Sequence, residues 1–163
     1  LTVWRNKVTN LIAFGAAGPC LNAFGCYVNV GRAQLEGLTL AGRTQLAGVS
    51  LRGSLDWHDP RNVDTDKVLQ RRAKQLATFG AETVLAGWTL GTEVQAAGVR
   101  YENASNSQPL GGYALVNLFV SKTLMPGLAL EARIDNLGDK QYELAQNYTT
   151  AGRNGQVTLR WSL

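Results

Sequence analysis

The 163-residue chain is long enough for one domain with a core, and its low charged fraction (17%) with 18 glycines suits strands and turns better than helices. Its net charge of +4 is not gathered into a patch: apart from Arg71, Arg72 and Lys74 the basic residues fall singly along strand-like runs, which argues against a nucleic-acid surface. One histidine, His58, far from the two cysteines, leaves a zinc site without ligands.

Taken in chain order, the sequence alternates with period two almost throughout. The first run is Leu1 to Phe14, with Arg5, Lys7 and Thr9 on one face. It begins abruptly inside the pattern, with no signal peptide, which is expected of a partial chain. From Leu11 to Val30 there is no charged residue, about the length of a membrane helix. Gly15, Gly18, Pro19, Asn22, Gly25 and Asn29 break that helix, so a strand end, a loop and the next strand are expected. Cys20 and Cys26 flank this loop and are expected to form a short-loop disulfide in an oxidising compartment.

The second run covers about Tyr27 to Ala47. The third, "VSLRGSLDW", sets Val49, Leu51, Leu55 and Trp57 against Ser50, Arg52, Ser54 and Asp56. The fourth is Arg72 to Ala86, the fifth "WTLGTEVQAAGVRY" from Trp88 to Tyr101, the sixth Tyr113 to Leu124, and the seventh "LALEARID" from Leu128 to Asp135. The eighth, "QVTLRWSL", turns Val157, Leu159, Trp161 and Leu163 one way and Gln156, Thr158, Arg160 and Ser162 the other.

The joints alternate in length. Ala47-Gly48, Ala86-Gly87 and Met125-Pro126-Gly127 are tight hairpin turns. Gly15 to Cys26, His58 to Arg71, Glu102 to Gly112 and Gly138 to Thr150 are long. Short turns at one end and long loops at the other are the mark of an outer-membrane barrel, with apolar residues outward and polar ones toward the lumen. Most runs offer enough residues to cross a bilayer as a tilted strand of about 9–11 residues. Arg52, Glu93, Glu131, Arg133 and Arg160 share the side away from the apolar residues, as the cost of a charge against lipid requires. Trp57, Trp88 and Trp161 lie near strand ends, where interfacial aromatics sit. A soluble β-barrel would put the apolar face inside. Asp56, His58 and Asp59 in "DWHDP" have neither a nucleophile nor further ligands at useful spacing and read as polar groups flanking a loop. With no phosphate loop, nucleophile elbow or zinc signature, neither an enzyme nor a cofactor is expected.

Several segments then resemble a known family. "IDNLGDKQYE" (Ile134 to Glu143) is similar to a motif near the end of TonB-dependent outer-membrane receptors, with Gly138 where an aromatic is usual. "YTTAGRN" (Tyr148 to Asn154) resembles the segment that follows it, and "LQRRAKQ" (Leu69 to Gln75) the start of a strand in the cobalamin (vitamin B12) receptors of that family. With "RNKVTNLIAF" and "GRAQLEGLTL", the resemblance spans essentially the whole chain. It implies the last eight strands of a 22-stranded antiparallel barrel, lacking the N-terminal plug that carries the TonB contact. A siderophore receptor of the same fold and a small autonomous eight-stranded barrel with a structural role are the alternatives. For isolated strands, closure on themselves or edge pairing with another copy is expected.

The resemblance also implies partners and ligand residues. "QVTLRWSL" is similar to the closing-strand signal read by the barrel-assembly machinery, ending in Leu163 where Phe is usual. Arg71 lies where cobalamin receptors contact their ligand from the barrel wall, Tyr148 matches a ligand-facing tyrosine, and Tyr101 at the start of "ENASNSQPL" is a further candidate. Arg72 and Lys74 are expected to steer ligand. The three carboxylates of "DPRNVDTD" suggest weak Ca²⁺ binding, but the family's calcium loops belong to earlier strands, so no metal site is assigned.

Overall fold

The computed structural model describes residues 1–15, 20 and 24–162. Leu163 lies outside the described residues, as do 16–19 and 21–23 of the first long joint. Among the described residues there is no helix. The strands are β1 (Thr2–Gly15), β2 (Cys26–Leu46), β3 (Val49–Asn62), β4 (Lys67–Val68), β5 (Gln75–Leu85), β6 (Trp88–Ala97), β7 (Arg100–Tyr101), β8 (Pro109–Leu110), β9 (Tyr113–Met125), β10 (Leu128–Asp135) and β11 (Asn154–Trp161). Eight are long and match the eight alternating runs. Each pairs antiparallel with its neighbour in the order β1-β2-β3-β5-β6-β9-β10-β11. The sheet is open: β1 and β11 each have one neighbour, so the expected self-closure does not occur among the described residues.

The register shows why the alternation is so strict. Directly paired residues share a face, and the row Leu40, Leu55, Ala77, Ala96, Ala114 is apolar right across five strands. With it go Leu46, Val49, Leu51, Phe79, Leu90, Val94, Val116, Leu118, Leu130, Val157 and Leu159. The opposite face carries Arg43, Ser50, Arg52, Thr78, Glu82, Glu93, Gln95, Asn117, Glu131, Arg133, Gln156 and Arg160. No large side chain is fully buried among the described residues, and Phe79, Leu159 and Val157 stand open on the apolar face. The apolar flanks do not pack on one another, as they would inside a soluble barrel. An apolar face of this extent needs an apolar solvent or partner.

Both ends of the apolar face have visible limits. Trp88 and Trp161 sit at the end with the short turns, paired with Leu85 and Leu128, and the Lys122 ammonium lies 4.9 Å from the centre of the Trp88 ring. At the other end the row holding Val3, Leu38 and Trp57 is the last apolar one before the face turns polar. Beyond it the same face turns charged: Arg5 pairs with Glu36 at 2.7 Å, and Glu36 stands across from Asp59. Arg5 and Lys7 are therefore on the outer face, past the apolar band, rather than on the polar wall. From Leu38 to Leu46 is roughly 26 Å along the strand at about 3.3 Å per residue, enough for a tilted crossing.

The polar wall is cross-linked by a chain of charges. Arg52 of β3 donates to Glu93 of β6 at 2.9 Å, Arg133 of β10 donates to the other oxygen of Glu93 at 2.6 Å, and Arg133 also holds Asp135 at 2.7 Å. The intervening strand β5 lets Arg52 pass because Gly80 stands in its way with no side chain; a Cβ there would sit 2.8 Å from the Arg52 Nε.

The turns follow the sequence. Ala47-Gly48 and Ala86-Gly87 both have positive φ at both residues, the twist that two-residue hairpins require, and Gly127 after Pro126 has φ 80°. Two long joints depart from expectation because strands form within or at the edge of them. β3 runs on through Asp59 and Pro60 to Asn62, since β2 is long enough to pair with it, and the amide of Leu69 uses the Pro60 carbonyl at 2.9 Å. The fifth run is split instead: β6 stops at Ala97, and Arg100-Tyr101 pairs with Pro109-Leu110 as a separate small hairpin. Cys20 and Cys26 are joined, their sulfurs 2.01 Å apart, at the far end of the β1–β2 hairpin.

Candidate functional site

Three of the long joints, 63–74, 98–112 and 136–153, meet at one end of the sheet, and the three residues expected to touch ligand meet there with them. Arg71 sits in the left-handed region at φ 57°, a conformation that costs a non-glycine residue about 1–3 kcal/mol. Its amide donates to the Tyr101 carbonyl at 2.8 Å, which secures that backbone turn. Its guanidinium lies side-on to Glu102, with Nε 3.1 Å from both carboxylate oxygens and Nη2 on Oε1. Tyr148 is 73% exposed at the tip of a turn closed by its own amide on the Ala145 carbonyl at 3.2 Å, two residues after Gln146, whose amide donates to Glu102.

Glu102 is the hub, though no local motif points to it. Besides Arg71, it accepts the Gln146 amide at 3.0 Å, while its own carbonyl accepts the Gln70 side-chain amide at 3.3 Å. One carboxylate thus ties all three joints. The side-chain bond from Arg71 is the main reason its pKa lies below the ordinary glutamate range, against an opposing effect of partial burial. Because the folded pKa is depressed, this pair contributes loop stability above the pKa of a solvated glutamate and loses it as pH falls through the folded value. Protection of the Gln146 amide against exchange is therefore expected to drop on acidification, and to be pH-independent over the same range in Glu102→Gln.

A second tie runs beneath the first. Arg100 is 5% exposed and donates from Nη2 to the Glu143 carbonyl at 2.9 Å, and its guanidinium lies over the Tyr113 ring at 5.0 Å. Tyr142 stacks on Tyr113 at 4.3 Å between ring centres. Asn106, at φ 59°, holds the amide and carbonyl of Val68 at 2.8 and 2.9 Å, which pins 63–74 to 98–112. Leu69, Ala73 and Leu110 are buried under this loop cluster. The candidate residues therefore stand on an ordered platform.

The motif around Asn136 also has a structural cause. Asn136 is 4% exposed with φ 52°, and its amide donates to Asn117 Oδ1 at 2.9 Å. Its side chain takes the Lys140 amide at 2.8 Å and gives to the Lys140 carbonyl at 3.0 Å, closing the loop on itself. Asp139 then accepts the Arg153 amide at 2.8 Å, so "IDNLGDK" holds the start of the segment that follows "YTTAG". Other polar residues are already engaged. Asp59 and Asp66 bind Arg61, Lys74 reaches Asp59 at 3.3 Å, and Asp64 binds Arg32. The carboxylates of "DPRNVDTD" are thus held by arginines, and Lys74 shares Asp59 with Arg61. His58 lies 3.8 Å from Asp56 and edge-on to Trp4.

Residues 1–137 match the family model described as TonB dependent receptor-like, beta-barrel. That span contains Arg71, Tyr101 and Glu102; Tyr148 lies after it. Among solved structures the chain is similar to the copper transporter OprC, at 20% identity and a TM-score of 0.82 over 98% of this chain and 28% of that one. It is also similar to a mutant of the ferric enterobactin receptor PfeA from Pseudomonas aeruginosa, at 19% identity, a TM-score of 0.74, and 99% and 28% coverage. The siderophore receptor PiuA from Acinetobacter baumannii matches at 18% identity and a TM-score of 0.72, with 98% and 25% coverage. The chain thus spans about a quarter of the length of these structures. On the family match and the two-faced antiparallel sheet together, the chain belongs to the TonB-dependent receptor-like β-barrel family.

Proposed function

We propose that this chain is the C-terminal part of the barrel of an outer-membrane receptor of a Gram-negative bacterium, a protein that takes up a scarce ligand with energy delivered through TonB. The observation that carries the reading is the division of faces: an apolar band ended by Trp57 on one side and by Trp88 and Trp161 on the other, with charges collected on the opposite wall. These eight strands would be the last of 22, with the apolar band against lipid, the charged wall toward the lumen, and the three tryptophans at the membrane interfaces. The TonB contact would belong to a plug encoded upstream, and β11 would be the strand presented to the barrel-assembly machinery.

The ligand reading is cobalamin. It rests on the resemblance of "LQRRAKQ" and "YTTAGRN" to cobalamin receptors, and on the convergence of Arg71, Tyr101 and Tyr148 on one loop cluster. A planar arginine fork in one loop cluster with the exposed Tyr148 and the half-buried Tyr101 suits a large ligand with amide oxygens and a flat ring system. The second reading is a metal chelate, favoured by the similar solved structures, whose names include a copper transporter and two siderophore receptors. Equilibrium binding of cyanocobalamin and of ferric enterobactin to the full-length receptor in detergent separates the two. Under the cobalamin reading cyanocobalamin binds, and Arg71→Ala and Tyr148→Ala each weaken it by about tenfold or more. Unchanged affinity in both variants, or binding of the chelate alone, would overturn that reading.

A further inference from the structure

We infer that Glu102 is a specificity-determining positioning residue: it fixes the Arg71 guanidinium and cancels its charge, so that the site favours a neutral oxygen acceptor, such as an amide carbonyl, over an anion. The inference rests on the proposed ligand role of Arg71 and adds to it the class of group that Arg71 takes.

The geometry separates the two edges of the guanidinium. Glu102 occupies the side edge, Nε and Nη2, while Nη1 makes no hydrogen bond among the described residues. Arginine has five donors, so the end edge keeps N–H groups for a ligand while the side edge stays paired. The exposures have the matching order: the Glu102 side chain is 16% exposed and that of Arg71 is 53% exposed. The carboxylate is the inner partner and the arginine the outer one.

Two consequences follow. A bidentate partner removes most of the rotamer freedom of a long side chain, so the ligand does not bear that ordering cost. The pair is also neutral overall. An anion approaching Arg71 meets the Glu102 carboxylate within a few ångströms and gains little net Coulomb energy, whereas a carbonyl dipole needs only the N–H groups. The left-handed backbone of Arg71 and its amide bond to the Tyr101 carbonyl fix the base of the same side chain.

The test is the charge preference of the full-length receptor, read as the ratio of ferric enterobactin to cyanocobalamin affinity in wild type, Glu102→Gln and Glu102→Asp. In Glu102→Gln that ratio is expected to rise about tenfold toward the anionic probe, with a steeper loss of anion binding on adding salt. Glu102→Asp, which keeps the charge, is expected to return the ratio toward wild type. A merely structural role would weaken both probes alike and leave the ratio and the salt dependence in place; that result overturns the inference. Wild-type preference for the chelate would count against the cobalamin reading alone, because the inference stands on the shift between variants. Amide exchange in the ligand-free receptor tests the positioning without any probe. Protection of Gln146 is expected to fall at least tenfold in Glu102→Ala, and unchanged protection would also overturn the inference.

Discussion

Arginine in place of Val94 is expected to destabilise the folded barrel by about 2–4 kcal/mol, while arginine at the adjacent Gln95 changes stability by less than about 1 kcal/mol. Val94 pairs with Phe79 and Val116 in the middle of the apolar face. Gln95 lies one residue on, across from Thr78 and Leu115, on the wall that already carries Arg52, Glu93 and Arg133. The same charge is thus added to one strand, one step apart, and only the solvent it meets differs. Urea titration of the full-length receptor refolded in lipid vesicles measures both. Equal costs at the two positions would mean that the apolar face is covered by something other than lipid, and the assignment of the faces would fail with it.

Asn136→Ala is expected to cost about 2–4 kcal/mol of local stability in the loop after β10. The substitution removes two part-buried bonds, from the Lys140 amide and to the Lys140 carbonyl, each worth about 0.5–1.5 kcal/mol, and puts a Cβ residue with no compensating side-chain bond at φ 52°. In hydrogen exchange the protection of Lys140 should fall by roughly 30- to 1,000-fold, at 1.36 kcal/mol per tenfold. Asn136→Gly separates the two causes. It relieves the backbone and still loses the bonds, so its loss should be the smaller. If alanine is tolerated with full protection, then the side chain of Asn136 does not organise this motif.

The long strands were legible because one face meets a different environment from the other, and a period of two leaves no freedom about which residue goes where. Val49 to Trp57 and Leu128 to Asp135 could be read residue by residue for that reason. Tight turns were legible too, since Ala-Gly and Pro-Gly between alternating runs have few other uses. The reading weakened where the chain leaves the apolar band. Past Trp57 both faces are wet, so alternation no longer distinguishes strand from loop, and "HDPRN" looked like a loop although β2 pairs it into β3. The same loss of contrast hid β4 and β8, each two residues long, the one paired to the end of β3 and the other to β7. Arg71, Tyr101 and Tyr148 were nominated through resemblance to a family, and their shared loop cluster is what the fold adds. Glu102 was not, because its importance lies in joining 63–74, 98–112 and 136–153, a property of the fold that no local pattern announces.

The outermost part of β2 has a consequence of its own. From Cys26 to Val30 its only strand neighbour among the described residues is β1, since β3 ends opposite Ala33 and Arg32 is met by Val63 and Asp64. At about 3.3 Å per residue these five residues span roughly 17 Å past that point. A two-stranded ribbon of that reach, clasped by a disulfide and bearing the exposed ring of Tyr27 near its tip, is a mast above the other strands. Under the proposed orientation, with the long joints toward the outside of the cell, this ribbon is where an externally added protease would be expected to meet the sheet before it reaches the strands paired on both sides.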